Sequence, residues 1–277
     1  MTDRRALVLG GGGVTGVAWE VGMIHGLAEE GVDLTDADLF VGTSAGSVVA
    51  AQIADGKKLA DMYATELADT SGDRNARIGT MVVLHFAAAM LRPGHPQQGR
   101  ARLGRAALRA RTVPESARRE AIMTRVTAEE WPRAQLRVTA VEAETGRFVV
   151  FGNDSGVPLV DAVAASCAVP IVWPPMTVAG KRYIDGGVRS LANVDIAKGY
   201  DRVVVIAPAL GYVRRSRADV QAKRLGPAVR SAVVSPSDAA LTAIGRNPLD
   251  PDRRADAAEA GHRQATEVAD RVRAVWM

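Results

Sequence analysis

The feature that most constrains this 277-residue chain is a serine bracketed by glycines between two opposite kinds of periodicity, Gly42-Thr43-Ser44-Ala45-Gly46. It follows a short apolar run, Asp38 to Val41, and precedes an apolar helical pattern that reaches Ala54. A serine at the corner of a strand-to-helix turn sits on a strained backbone, so its flanking residues must be small. The hydroxyl then projects from the end of the sheet, at the positive end of the following helix. The same five residues also suit a plain glycine-flanked helix N-cap, since serine is a favoured cap.

The segments around this turn follow βαβ grammar. Residues 5–9 read as a buried strand that runs into Gly10-Gly11-Gly12-Gly13-Val14-Thr15-Gly16. A helix is expected from Val17 to Glu30, with Trp19, Met23, Ile24 and Leu27 on its apolar stripe and Gly31 as its C-cap. Strand, glycine loop, helix, strand, tight turn, helix predicts a parallel sheet covered on both faces. Further on, Ala134 to Val141 and Arg147 to Phe151 read as a hairpin through Thr145-Gly146. Pro158 to Cys167 reads as a helix ending before Pro170, and Trp173–Val178 and Lys181–Ile184 as short strands joined by Ala179-Gly180. Residues 202–207 are a buried strand; beyond Gly211 a helical tail is expected, with a loose linker from Gly211 to Leu225.

Adjacent glycines after the first strand let backbone N–H groups face a developing negative charge, the requirement of an oxyanion hole. The loop also matches G-x-G-x-x-G, a dinucleotide fingerprint through Gly11, Gly13 and Gly16. That alternative calls for a ribose-binding acid at the end of the second strand. Ser44 and its turn stand in that place. A nucleophilic serine needs a base. Of His25, His85, His95 and His262, His262 alone follows the chain order Ser…Asp…His of α/β-hydrolases, which leaves a Ser-Asp-His262 esterase as a second alternative. The remaining candidate is Asp185, set before Gly186-Gly187 at the end of a strand, where an ordinary turn aspartate is the alternative.

Taken in order, the glycine loop, G-T-S-A-G and D-G-G resemble the patatin-like phospholipases, acyl hydrolases with a Ser-Asp dyad. Ala165-Ser166-Cys167-Ala168-Val169-Pro170 resembles that family's A-S-x-A-x-P segment. The resemblance implies an α/β, patatin-like three-layer fold with a central mostly parallel sheet covered by helices. It implies Ser44 as nucleophile, Asp185 as base, and the N–H groups of Gly11, Gly12 and Gly13 as oxyanion donors, with Gly16, Gly42, Gly46, Gly186 and Gly187 supporting the motifs. It implies a hydrolase core over 5–207 and a C-terminal helical extension over 208–277 packed on it. One departure stands out: where the family's glycine loop often carries Arg or Lys, this chain has Thr15.

Composition sets the outer bounds. Hydrophobic residues are 47% and aromatics 4%, enough for a core but too few rings for single-strand stacking platforms, so no nucleic-acid partner is expected. Most of the 35 cations are Arg, and the net charge is +4. Part of that excess, Arg102, Arg105 and Arg109, falls on one helical face, with Leu103 and Ala107 on another, just after the apolar run Ile78 to Leu91. Residues 78–111 are read as a lid or membrane-docking insertion that meets a lipid or other acyl-ester substrate, the alternatives being a core helix over Ile78 to Leu91 and a solvated charged face after it. The single Cys167 forms no intrachain disulfide, no run reaches about 18 apolar residues, and no metal-ligand spacing occurs. The expectation is a cytoplasmic protein, peripheral at the membrane, with neither metal nor organic cofactor.

Overall fold

The computed structural model describes residues 3–68, 94–209 and 214–277. The apolar run Ile78 to Leu91 lies outside the described residues.

Among the described residues, eight strands form one sheet: β1 (Arg5–Leu9), β2 (Leu39–Gly42), β3 (Gln135–Glu142), β4 (Phe148–Gly152), β5 (Met176–Val178), β6 (Lys181–Asp185), β7 (Arg202–Ile206) and β8 (Arg230–Val234). Their order is β5-β6-β3-β2-β1-β7-β8, with β4 paired to β3. The central pairs β3/β2, β2/β1, β1/β7 and β7/β8 are parallel; β4 and β6 run antiparallel to β3.

Alternation along the strands builds three layers. On β1, Leu7 and Leu9 join one apolar cluster while Ala6 and Val8 join another on the opposite face. On β7, Val204 and Ile206 divide from Val203 and Val205 in the same way, as a period of two requires. The larger cluster takes in α1 (Gly13–Glu29), α2 (Ala45–Ala54) and α3 (Leu59–Leu67). On the opposite face, α4 (Pro96–Arg109) packs Leu103 and Ala107 over Val141 and Ile184 in a small cluster of its own, while α5 (Glu115–Met123) lies against α6 (Leu159–Ser166) on the side of the larger cluster. The chain ends in α7 (Ala218–Lys223), α8 (Asp238–Ile244) and the long α9 (Arg254–Trp276).

Four local readings are corrected. Helix α1 begins at Gly13, inside the glycine loop, rather than at Val17. The tail is not wholly helical: Arg230–Val234 forms β8 parallel to β7, a strand hidden by its Arg-Ser start and by the few apolar residues it offers. Within the supposed linker, Ala218–Lys223 is a helix that buries Ala218 and Ala222 on the second cluster. The strand expected from Trp173 starts only at Met176, because Pro174 and Pro175 lack the N–H that a ladder needs. The Ala179-Gly180 turn has φ of 47° and 75°, the paired positive values of a tight hairpin.

Candidate active site

Ser44 is built by the end of β2. Its backbone sits at φ 51°, ψ −119°, a conformation that costs an L-residue about 1–3 kcal/mol and persists only where the surroundings hold it. Here they do. The Ser44 N–H donates to Ser166 Oγ at 2.9 Å, and its carbonyl accepts from Ser47 Oγ at 2.6 Å and Cys167 Sγ at 3.3 Å. Gly46 allows α2 to press on β1: a Cβ there would lie 2.2 Å from the Leu9 carbonyl oxygen. The segment around Ser166, resembling a family motif in the sequence, thus acts as the brace of the serine turn. Burial pushes the Cys167 thiol up to about 11, so it remains a neutral donor.

Asp185 is the last residue of β6 and is 5% exposed; Ser44 is 8% exposed. The Gly187 N–H caps Asp185 Oδ1 at 2.7 Å. Burial raises the carboxyl to about 6, while the Ser44 hydroxyl, the Gly187 N–H and the charge of Arg118 pull it back down. Gly186 permits the turn to lie on β3, where a Cβ would come 2.3 Å from Thr139 Oγ1.

The glycine loop approaches the serine from β1. A Cβ on Gly11 would sit 3.4 Å from the Ser44 Cβ. The Gly11 N–H, however, donates to the Leu191 carbonyl at 2.7 Å, so Gly11 ties the loop to the segment after D-G-G and is not an oxyanion donor. Gly12 and Gly13 stand at the start of α1, where a helix offers its first N–H groups no carbonyl of its own. That position, with the positive end of the helix behind it, suits an oxyanion. Pro208 packs on Gly12 and Gly16, and Pro248 on Gly13, so the glycine spacing is answered by protein contacts. Thr15 is buried and donates its hydroxyl to the Pro248 carbonyl at 3.2 Å.

Sequence reasoning missed three residues here. Arg118 on α5 donates from Nη2 to the Cys167 carbonyl at 3.4 Å and lies 4.3 Å over the Trp173 ring. It brings to the Asp185 side the charge that Thr15 does not carry. Asn193, fully buried at φ 49°, donates from Nδ2 to Thr43 Oγ1 at 3.0 Å and to the Ser190 carbonyl at 2.7 Å. Thr139, between the two site loops, meets Thr43 Oγ1 at 2.8 Å. No sequence motif marks Arg118 or Thr139; Asn193 has only its tolerance of the left-handed region as a signal.

The histidine alternative has no such geometry. His262 Nε2 lies 2.7 Å from Glu29 Oε2, and its ring stacks on Tyr63. A surface cavity of about 610 Å³ between α4 and the β3–β4 turn is lined by His95, Gln98, Arg102, Arg105 and Glu144, and by none of the residues around Ser44. The basic helix itself is docked: a Cβ on Gly104 would lie 1.9 Å from the Ala143 carbonyl oxygen, and Arg100 Nε donates to the Gly146 carbonyl at 2.8 Å. Among the described residues, no helix is long and apolar enough to cross a membrane.

A mostly parallel α/β sheet that presents a serine in a strand-to-helix turn beside a buried aspartate defines a hydrolase-type architecture. The model of the patatin-like phospholipase family matches residues 7–198, and the chain belongs to that family. Membership supports lipid acyl hydrolysis at the level of the family. In fold, the chain is similar to VipD from Legionella pneumophila, with a TM-score of 0.52 at 16% identity over 98% of this chain and 67% of VipD. Full-length ExoU from Pseudomonas aeruginosa, in complex with SpcU, aligns at 17% identity with a TM-score of 0.42, over 99% of this chain and 53% of ExoU. No curated protein sequence matches the chain.

Proposed function

We propose that this protein hydrolyses carboxylic esters of lipids through a Ser44–Asp185 dyad and an acyl-enzyme. The observation that carries the reading is the apposition of a strained, nearly buried serine with a buried carboxyl held near pKa 6. A base titrating there is largely ionised at neutral pH yet basic enough to take a proton in the transition state.

As Ser44 Oγ attacks the ester carbonyl, its proton passes to Asp185. The oxyanion forms against the N–H groups of Gly12 and Gly13. Collapse breaks the bond to the leaving alcohol, which takes the proton from Asp185 and departs. Water then enters, gives its proton to Asp185 and attacks the acyl-enzyme; release of the acid returns the proton to Ser44. None of these steps calls on a metal or an organic cofactor.

Exposed Arg105 and Arg109 on α4 favour a transient, peripheral contact with anionic lipid, with the protein otherwise cytoplasmic. The decisive experiment is fluorophosphonate labelling of wild type, Ser44→Ala and Asp185→Ala, with an ester panel of varied chain length. Labelling of wild type alone, at a site mapped to Ser44, is expected. Full labelling of Ser44→Ala overturns the assignment. Unchanged liposome sedimentation after deletion of residues 78–111 overturns the membrane contact.

A further inference from the structure

Helices α1 and α9 cross at backbone contact because three glycines remove the side chains between them. A Cβ on Gly22 would lie 1.9 Å from the Ala258 carbonyl oxygen, one on Gly26 2.6 Å from Ala265 Cβ, and one on Gly261 2.3 Å from the Trp19 carbonyl oxygen. At the edge of this fixed crossing, His25 and Glu29 from α1 meet His262 from α9. Glu29 reaches both rings, Oε2 at 2.7 Å from His262 Nε2 and Oε1 at 3.5 Å from His25 Nε2. The three donor atoms all lie within 4.8 Å of one another. Tyr63 of α3 holds the rings from the third side, 5.2 Å from His262 and 4.9 Å from His25.

We infer that His25, Glu29 and His262 form a binding site for a divalent transition metal of the zinc type, separate from the Ser44 centre. Two imidazole nitrogens and one carboxylate oxygen are a zinc donor set, and tetrahedral bonds of about 2.0–2.2 Å place such donors about 3.3 Å apart. The spacings around Glu29 bracket that value, and the half-exposed carboxylate needs only a small rotation to meet it. Glu259, one turn before His262, is engaged with Arg263 at 3.3 Å, which leaves the fourth position to water. Magnesium and calcium, which demand all-oxygen shells, do not fit. The metal clamps the C-terminal helix to α1, whose first turn carries Gly13, so its effect is on stability rather than on the chemical step.

The test is thermal unfolding of the full chain after chelator treatment, with micromolar ZnCl2 or MgCl2 added. Wild type is expected to gain melting temperature with zinc and not with magnesium, and His262→Ala and Glu29→Gln to lose the zinc shift. No zinc shift in wild type, or an equal shift in both variants, overturns the site. Should a variant fail to fold, the visible spectrum of wild type loaded with Co2+ decides: intense bands of a low-coordinate, imidazole-bound ion support the site, and the spectrum of aqueous Co2+ overturns it.

Discussion

Gly42 and Asp185 end two strands that meet head to head on one edge of β3. Gly42 pairs with Val138 in the parallel β2/β3 ladder, and Asp185 pairs with Ala140 in the antiparallel β6/β3 ladder. β4 occupies the other edge over the same residues, so β2 and β6 share this one. Running in opposite directions, they converge on Thr139, and the turns that follow them bring Ser44 and Asp185 together across a chain separation that no local rule could span.

That convergence makes Ser44 and Asp185 one chemical unit. Ser44→Ala and Asp185→Asn should each lower kcat/KM for a soluble ester by about 10,000-fold, with little further loss in the double variant, because residues that act as a unit are not additive. Asp185→Asn retains an oxygen to accept the Gly187 N–H, so its fold should survive. Steady-state kinetics with circular dichroism of the same samples checks both points.

The pH profile follows from the same carboxyl. With Asp185 raised to about 6 and required as a base, kcat/KM should climb as pH rises through that region and level off above it. Arg118 favours the charged carboxylate. Arg118→Met therefore pushes the pKa of Asp185 further up and moves the acidic limb to higher pH. A limb that stays in place in that variant shows that Arg118 does not act on the carboxyl.

Asn193 joins the two loops from below. Asn193→Ala leaves the Thr43 hydroxyl and the Ser190 carbonyl without their buried donor and strains a left-handed position that Asn tolerates better than Ala. A loss of about 1–3 kcal/mol is expected in urea unfolding, and kcat should fall as the serine turn loses its tie to the loop that follows Asp185. Unchanged stability and turnover would show the network to be dispensable.

What the sequence made readable was local. Gly42 and Gly187 are demanded by close approach to Ser47 and Asp185, a few residues away, so the turns could be recognised without a partner in sight, although Gly46 and Gly186 answer the distant Leu9 and Thr139. The Gly11 N–H could not be read, since its acceptor at Leu191 belongs to another loop. Nor could Asn193, 150 residues from Thr43, or Arg118, whose contact at Cys167 depends on how α5 meets α6. Strand β8 owes its existence to the free edge of β7 rather than to its own pattern. The clustering of His25 with His262 is set by three glycines in two distant helices.

Glu20 gives the protein a pH-dependent weakness that lies outside the dyad. It sits in the middle of α1, fully buried, and neither carboxyl oxygen makes a hydrogen bond. Burial holds its pKa well above the usual carboxylate range, and the nearby Gly10 N–H, whose own bond goes to the Ile206 carbonyl at 2.9 Å, offsets little of that rise. The folded state therefore keeps a proton that the unfolded chain gives up near pH 4.3. Between these two values the native state binds more protons than the unfolded state, so Glu20 makes stability fall as pH rises. Glu20→Gln, neutral at every pH, removes this slope. The variant should match wild type in acid and exceed it in urea midpoint at pH 8, and a wild-type advantage that grows with pH would refute the argument.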